Sequence, residues 1–395
     1  MKFFVIGIDD NQEQFFNNEI LNIIHSHSVF SGGARHHEIA QPLLPKNHIW
    51  INITIPLNLI FEQYRQFQEI VIFASGDPLF FGFANTIQRE IPEAEIILYP
   101  SFNSLQLLAH RLLMPYQDMH IVSLTGRPWD KLDEALIMGY DTIGILTDNR
   151  EHIPSSIAKR MLEYGYDNYN VSIGELLGNK EKERVTTLSL KNVTEREFLS
   201  PNCLILRKVY NRRRPFGIPE NEFQLLDGRV KMITKMPVRL LTLSLLDLRE
   251  KAVFWDIGFC TGSISIEAKM QFPHLKILAF EKRQEGQQLI ENNSYKFGTP
   301  GIQSFIGDFT QMDITGLPKP DAVFIGGHGG KLYEIVTKIS EVLNPNGVIV
   351  FNSVSPESRE IFISAIKKHD LQLDQNIALK VDNFNSIEIM KAKND

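Results

Sequence analysis

The run Val253-Phe254-Trp255-Asp256-Ile257-Gly258-Phe259-Cys260-Thr261-Gly262-Ser263 constrains this chain more than any other stretch. It begins as an apolar strand of the kind buried on both faces, and two glycines then break it. Ile264, Ile266, Ala268 and Met270 follow and open a helix. A strand, a glycine turn and a helix in that order hold a nucleotide-shaped ligand at the carboxyl edge of an open α/β sheet. The spacing is not that of the dinucleotide fingerprint G-x-G-x-x-G, because no third glycine follows where a pyrophosphate would lie.

The turn is similar to the E/D-x-G-x-G-x-G turn of S-adenosylmethionine (SAM)-dependent methyltransferases, which faces an amino-acid carboxylate and a ribose. Cys260 takes the place of the middle glycine. The next apolar run, Lys276 to Phe280, ends in Glu281. An acid there, about 20 residues past the turn, is placed to accept both ribose hydroxyls. A third run, Gln303 to Ile306, ends in Gly307-Asp308, where the aspartate can meet an adenine amino group. A fourth, Ala322 to Ile325, ends in Gly326-Gly327-His328-Gly329-Gly330. For any one of these a tight turn without ligand is an ordinary alternative. The ordered series on one sheet edge favours a site.

Bulk properties narrow the rest. A chain of 395 residues suits two or three domains. A formal charge of -6 gives no electrostatic case for nucleic acid or membrane binding. Cys203 and Cys260 are far apart and lack metal-ligand spacing, which fits a reducing cytoplasm and no disulfide framework. The apolar run Phe3 to Gly7 is too short for a signal peptide, and no run approaches a membrane span. It reads as a first buried strand.

The clearest boundary is Tyr210 to Pro219, which is charged, then rich in proline and glycine. Its arginines read as a solvated linker. Val238 to Leu246 has helical apolar density. Before the boundary, strands are expected at 3–7, 49–53, 70–74, 95–99, 120–124, 142–147 and 203–209. Helices are expected around 15–26, 57–66, 81–90, 103–112, 130–138 and 155–164. The alternation is α/β, mostly parallel up to Pro100, with a second half from Ser101.

Four loops there carry polar groups. Ala74-Ser75-Gly76-Asp77-Pro78 follows a buried strand, and Pro78 can begin a helix. Its N–H groups can face a carboxylate, with a plain strand–turn–helix as the alternative. In Pro100 to Ser104, Ser101 or Asn103 can cap a helix. Ser123 to Arg127 follows another strand. In Ser31 to His36, Arg35 and His36 stand beside glycines and can meet an anion, although a solvated loop is the simpler reading. His36, His37 and His48 lack metal spacing, so no metal is expected.

With these motifs in order, the chain resembles the bifunctional, decarboxylating precorrin C5,15-methyltransferases of cobalamin biosynthesis. The first half is similar to the C5-methylating branch of the tetrapyrrole methylases. The match runs through Gly7-Ile8, Gly32 to His36, Ser75 to Gly82, Pro100 to Ser104 and Ser123 to Arg127. The second half is similar to the decarboxylating C15-methylating subunit. Here it runs through Gly217 to Phe223, Ile233 to Lys235, Trp255 to Gly258, Thr261 to Ser263, Ile266 to Ala268 and Phe324 to Gly330. The resemblance departs at Asp9-Asp10-Asn11, where a second glycine is usual, and at Thr125, where histidine is usual.

The resemblance implies an α/β protein with an N-terminal two-lobed tetrapyrrole methylase fold and a C-terminal Rossmann-like class I SAM methyltransferase fold. The expected domains are 1–210 (lobes about 1–100 and 101–210) and 220–395, joined by a linker at 211–219. It implies two SAM sites. One uses Thr234, Gly258, Phe259, Cys260, Thr261, Gly262, Glu281, Gly307 and Asp308. The other uses Gly76, Asp77, Pro78, Ser101 and Ser104. Gly326, Gly327, His328 and Gly329 fall on the substrate side. Arg35, Lys235, Arg239 and His328 are candidates for the macrocycle's carboxylates, with a surface role as the alternative for each. The substrate is a precorrin or cobalt-precorrin, methylated at C5 and C15 with loss of the C12 acetate carboxyl. No catalytic acid or base is identified. No nucleic-acid or membrane partner is expected, and the protein is expected to be a cytoplasmic homo-oligomer. A methyltransferase on another acceptor and a non-catalytic SAM or tetrapyrrole sensor stay open.

Overall fold

A computed structural model describes residues 1–229, 231–381 and 386–394. The chain divides into two compact units. The first comprises Met1–Arg127, Tyr140–Lys159 and Asn168–Tyr210, and the second comprises Pro128–Gly139, Arg160–Asp167 and Asn211–Asp395.

The chain up to Tyr99 alternates β1 (Lys2–Ile8), α1 (Asn18–Ser26), β2 (Val29–Gly32), α2 (Ala34–Ala40), β3 (Ile49–Asn52), α3 (Leu57–Tyr64), β4 (Glu69–Ser75), α4 (Phe83–Glu90) and β5 (Glu95–Tyr99). The five strands form a parallel sheet in the order β3-β2-β4-β1-β5. Phe3 and Val5 pack with Ile70 and Ile72 in one core, whereas Phe4 and Ile6 pack with Val71 and Phe73 in another. That alternation is the two-residue period of a strand buried on both faces.

There follow α5 (Ser104–Arg111), β6 (His120–Ser123), α6 (Asp130–Met138), β7 (Thr142–Leu146), α7 (Pro154–Glu163), β8 (Tyr169–Glu175), β9 (Arg184–Ser189), α8 (Leu190–Thr194) and β10 (Asn202–Lys208). Their sheet runs β6-β7-β10-β8-β9, parallel only between β6 and β7. β2, β8 and β9 lie outside the expected strands. The helix expected from residue 81 starts at Phe83 instead. Pro78 stands before it in a turn, its carbonyl accepting the Ala84 N–H at 3.2 Å.

The second unit contains α9 (Met236–Leu246), β11 (Val253–Ile257), α10 (Ser263–Gln271), β12 (Lys276–Glu281), α11 (Glu285–Phe297), β13 (Ile302–Ile306), β14 (Ala322–Ile325), α12 (Leu332–Ser340), β15 (Val348–Ser353), α13 (Pro356–Lys368), β16 (Gln372–Leu379) and β17 (Ile387–Lys393). The sheet order is β13-β12-β11-β14-β15-β17-β16, parallel from β13 to β15. Trp255 and Ile257 enter the core of Leu278, Phe280, Val323 and Ile325, whereas Phe254 enters that of Ile277, Ala322 and Phe324. Strand order reverses beside β11. Its carboxyl end and that of β14 therefore flank the crevice where such sheets bind ligands.

Candidate functional site

In the second unit the turn after β11 requires glycine. Gly258 has φ +76, and a Cβ on it would lie 2.3 Å from the Gly327 carbonyl oxygen and 2.6 Å from its nitrogen. Gly326 N–H donates to the Ile257 carbonyl at 2.9 Å, which lays the glycine-rich loop after β14 against the turn. Gly262, at φ +75, serves packing: its absent Cβ would meet Ile290 of α11 at 2.6 Å. Cys260 holds φ +53 without being glycine. Its thiol donates to the Met232 carbonyl at 3.2 Å. Burial first, then the charge of Glu281, pushes that thiol up to about 11, so it stays protonated.

A cavity of about 460 Å³ opens at these strand ends. Gly258, Glu281, Gly307, Asp308, Gly327, His328 and Gly329 line it, so four strand ends converge on one cavity. Glu281 is almost fully buried, and its Oε2 accepts the Cys260 N–H at 2.9 Å. Its Oε1 accepts Arg283 N at 3.0 Å and Nη1 at 3.1 Å. Asp308 Oδ2 accepts from Lys331 Nζ at 2.8 Å, and its Oδ1 from the Thr310 hydroxyl at 2.8 Å. The Lys331 bond, then that of Thr310, holds the Asp308 carboxyl down at about 2. Burial lowers the His328 pKa, which keeps the ring neutral at pH 7, and its Nδ1 accepts the Gly330 N–H at 3.3 Å.

Two polar atoms of β11 and the turn are orphaned. Thr261 Oγ1 and Asp256 Oδ1 are buried without a hydrogen-bond partner among the described residues. Ser265 donates to Asp256 Oδ2 at 2.6 Å, and burial raises the Asp256 carboxyl to about 7. Acceptors for hydroxyls and an amino group beside a close-approach turn fit a nucleoside bearing an amino-acid tail.

Phe259, Cys260, Thr261, Gly262 and Gly326, also expected at this site, are not among the residues that line the cavity. Thr234 is outside the lining as well, and its carbonyl accepts Arg239 Nη1 at 2.8 Å. Lys235 occupies the N-cap position of α9 and is likewise outside the lining. Arg239 leaves the substrate set. It is 0% exposed, ion-paired with Glu267 at 2.9 Å, and also bonded to the Ile218 carbonyl. Lys331 escaped the sequence reading because nothing local links it to an aspartate 23 positions earlier.

The first unit has a cavity of about 570 Å³ between its two sheets. Gly7 is pressed there: a Cβ would lie 1.8 Å from the Gly76 carbonyl oxygen. Gly76 N–H donates to the Ile8 carbonyl at 2.8 Å, and Ser101 N–H to the Gly76 carbonyl at 3.2 Å, which ties the ends of β1, β4 and β5. Arg35, Ser75, Gly76 and Ser104 line the cavity with Phe80, Phe81, Phe102 and Arg127. Asp77 accepts the Leu79 N–H at 2.9 Å, and Asp77, Pro78 and Ser101 stand outside that lining. Asn103, not Ser101, caps α5. Thr125 donates to the Thr147 carbonyl at 2.8 Å, and Asp9 accepts Asn11 N–H at 3.0 Å. Among the described residues no helix is long and apolar enough to cross a membrane, and no cluster suits a metal.

The tetrapyrrole (corrin/porphyrin) methylase family matches residues 24–194, and the precorrin methyltransferase domain family matches residues 226–392. A precorrin-6Y C(5,15)-methyltransferase (decarboxylating) from Sinorhizobium sp is 30% identical over 360 residues, covering 91% of this chain and 86% of that protein. A cobalt-precorrin-6B C(15)-methyltransferase (decarboxylating) from Salmonella typhimurium is 38% identical over 133 residues, covering 34% of this chain and 68% of that protein. A crystal structure of a precorrin-6y C5,15-methyltransferase from Geobacter metallireducens is 32% identical, covers 46% of this chain and 98% of its own, and has a TM-score of 0.42. With two family matches in sequence and a relative 30% identical over 91% of this chain, the chain belongs to the precorrin-6Y C(5,15)-methyltransferase (decarboxylating) family.

Proposed function

We propose that the chain methylates a late precorrin at C5 and C15 and removes the carboxyl of its C12 acetate, with one SAM site in each unit. C15 methylation and decarboxylation fall to residues 220–395, and C5 methylation to residues 1–210. The observation that carries the reading is the convergence of Gly258, Glu281, Asp308 and the Gly326–Gly330 loop on one cavity.

SAM, when bound, supplies a methyl group on a sulfonium, already activated for in-line displacement. The chain's task is to bring that methyl and a ring carbon together in line. In the second unit Glu281 accepts ribose hydroxyls and Asp308 the adenine amino group. The Gly258 turn admits the amino-acid end, and the loop carrying neutral His328 faces the macrocycle. C5 and C15 are enamine-like carbons, so no strong base is needed to make them nucleophilic. Carbon dioxide leaves as the macrocycle takes up the released electron pair.

Incubation of the purified chain with SAM and a late precorrin, metal-free and cobalt-loaded in parallel, tests the reading by mass spectrometry. A gain of two methyls with loss of one carbon dioxide supports it and identifies the preferred metal state. One methyl plus decarboxylation removes the C5 assignment. No mass change despite SAM binding points to another acceptor or to a sensor. Self-association in the cytoplasm is part of the same proposal, and light scattering on the purified chain checks the assembly.

A further inference from the structure

Asp308 follows β13 on the wall of the second unit's cavity, and a small network fixes how it can meet a ligand. Its Oδ1 accepts the Thr310 N–H at 3.1 Å and the Thr310 hydroxyl at 2.8 Å. Its Oδ2 accepts from Lys331 Nζ at 2.8 Å, and the same ammonium lies 3.3 Å from Thr310 Oγ1. An ammonium only donates and an ionised carboxylate only accepts. The Thr310 hydroxyl therefore takes a hydrogen from Lys331 and gives its own to Asp308. Each carboxylate oxygen offers about two lone-pair positions. Those of Oδ1 are filled and one on Oδ2 is filled, so a single acceptor position is left, on Oδ2. Lys282 Nζ, 4.0 Å from Oδ2, is too far to take it.

Lys331 holds this arrangement from a firm seat. It stands at the N-cap position of α12, next to Leu332, which is buried in the core. Further along the same helix, Lys338 Nζ donates to the Phe309 carbonyl at 2.8 Å and to the Thr310 carbonyl at 3.3 Å. Two lysines of α12 thus pin the segment after β13, and the Asp308 carboxylate is oriented before any ligand arrives.

We infer that Lys331 and Thr310 are positioning residues that leave Asp308 one acceptor position and so make this site select a purine by its ring amino group. A ring amino group donates to that position. A purine without one leaves it unfilled, and a ring carbonyl there meets a negative oxygen. The inference rests on the reading of this cavity as the second unit's SAM site and names what sets its choice of base.

The test is inhibition of C15 methylation by the full chain, with S-adenosylhomocysteine compared with its 6-deamino analogue. The wild type is expected to bind the adenosyl form roughly 10- to 100-fold more tightly, the worth of a hydrogen bond to a charged group. Lys331→Met and Thr310→Val should each cut that preference at least about fivefold, the worth of a single ordinary hydrogen bond. Lys331→Arg, which keeps a cation that only donates, retains it. In an Asp308→Asn chain, adding Lys331→Met should change the preference no further, which a merely structural role of the lysine would not produce. Undiminished C5 methylation shows that the variants are folded, and calorimetry with the same two ligands reads any variant that has lost C15 turnover. Equal binding of the two ligands by the wild type, or an undiminished preference in Lys331→Met and Thr310→Val, overturns the inference alone. A wild-type chain that transfers no methyl to C15 overturns it together with the functional reading.

Discussion

The amide of Cys260 donates to Glu281 Oε2 at 2.9 Å, so the turn after β11 and the acid ending β12 form one unit. A ligand on the carboxylate is thereby coupled to the shape of the turn. The Phe280 carbonyl reinforces the link by accepting the Gly258 N–H at 2.7 Å.

Glu281→Gln replaces one acceptor oxygen with a donor at the point where the ribose hydroxyls must donate. SAM affinity at this site is expected to fall roughly 10- to 100-fold, as for a lost hydrogen bond to a charged group. Calorimetry on the full chain should show one binding event weakened and a second unchanged. Loss of both events in a folded variant would count against separate sites.

Gly258→Ala and Gly329→Ala make a controlled pair. Both positions have positive φ, so each alanine carries a left-handed cost of roughly 1–2 kcal/mol. Only at Gly258 would the new Cβ strike backbone, at 2.3 Å from the Gly327 oxygen, whereas nothing lies within 4 Å of a Cβ on Gly329. Gly258→Ala should displace the loop after β14 and abolish C15 methylation. Gly329→Ala should lower the melting temperature slightly and keep most activity. Equal activity losses would mean that the close contact is not what the turn protects.

The strand ends were legible because each apolar run stops at a polar or glycine residue, and parallel neighbours bring those stops to one edge. Glu281 and Asp308 were readable for that reason. β2 was not: Val29–Gly32 is too short to show a period, and Ser31 is buried there by bonding Tyr64 Oη at 2.6 Å. The turn read at Ser31–His36 is thus a strand end and the first turn of α2, which aims Arg35 and His36 at Ser75. Pairs distant in sequence were equally hidden. Lys331 with Asp308 and Arg239 with Glu267 depend on tertiary packing that no local pattern records.

Arg239→Ala separates a structural from a substrate role. Glu267 also accepts the Gly217 N–H at 2.6 Å and the Ile218 N–H at 3.2 Å, so this ion pair anchors the segment entering the second unit. Removing the arginine leaves a buried carboxylate without its cation, at a cost of about 3–5 kcal/mol. Urea unfolding should show that loss. A variant of wild-type stability with only a raised precorrin KM would return Arg239 to the substrate set.

Asp256 gives the chain a pH dependence opposite to that of a salt-bridged acid. Burial first raises its carboxyl to about 7, with Ser265 lowering it and the charge of Glu281 raising it further. In the unfolded chain the group ionises near the ordinary value of about 3.9. Its contribution to stability is therefore fully present below that value and is lost as pH rises toward and through about 7. A difference of about three pKa units corresponds to a swing on the order of 4 kcal/mol. Asp256→Asn keeps an oxygen for the Ser265 hydroxyl and does not titrate. Denaturant unfolding at pH 5 and pH 8 should find the wild type losing stability relative to Asp256→Asn as pH rises. Parallel pH profiles for the two proteins would mean that Asp256 is already ionised in the fold, with its free oxygen satisfied by a donor such as an ordered water.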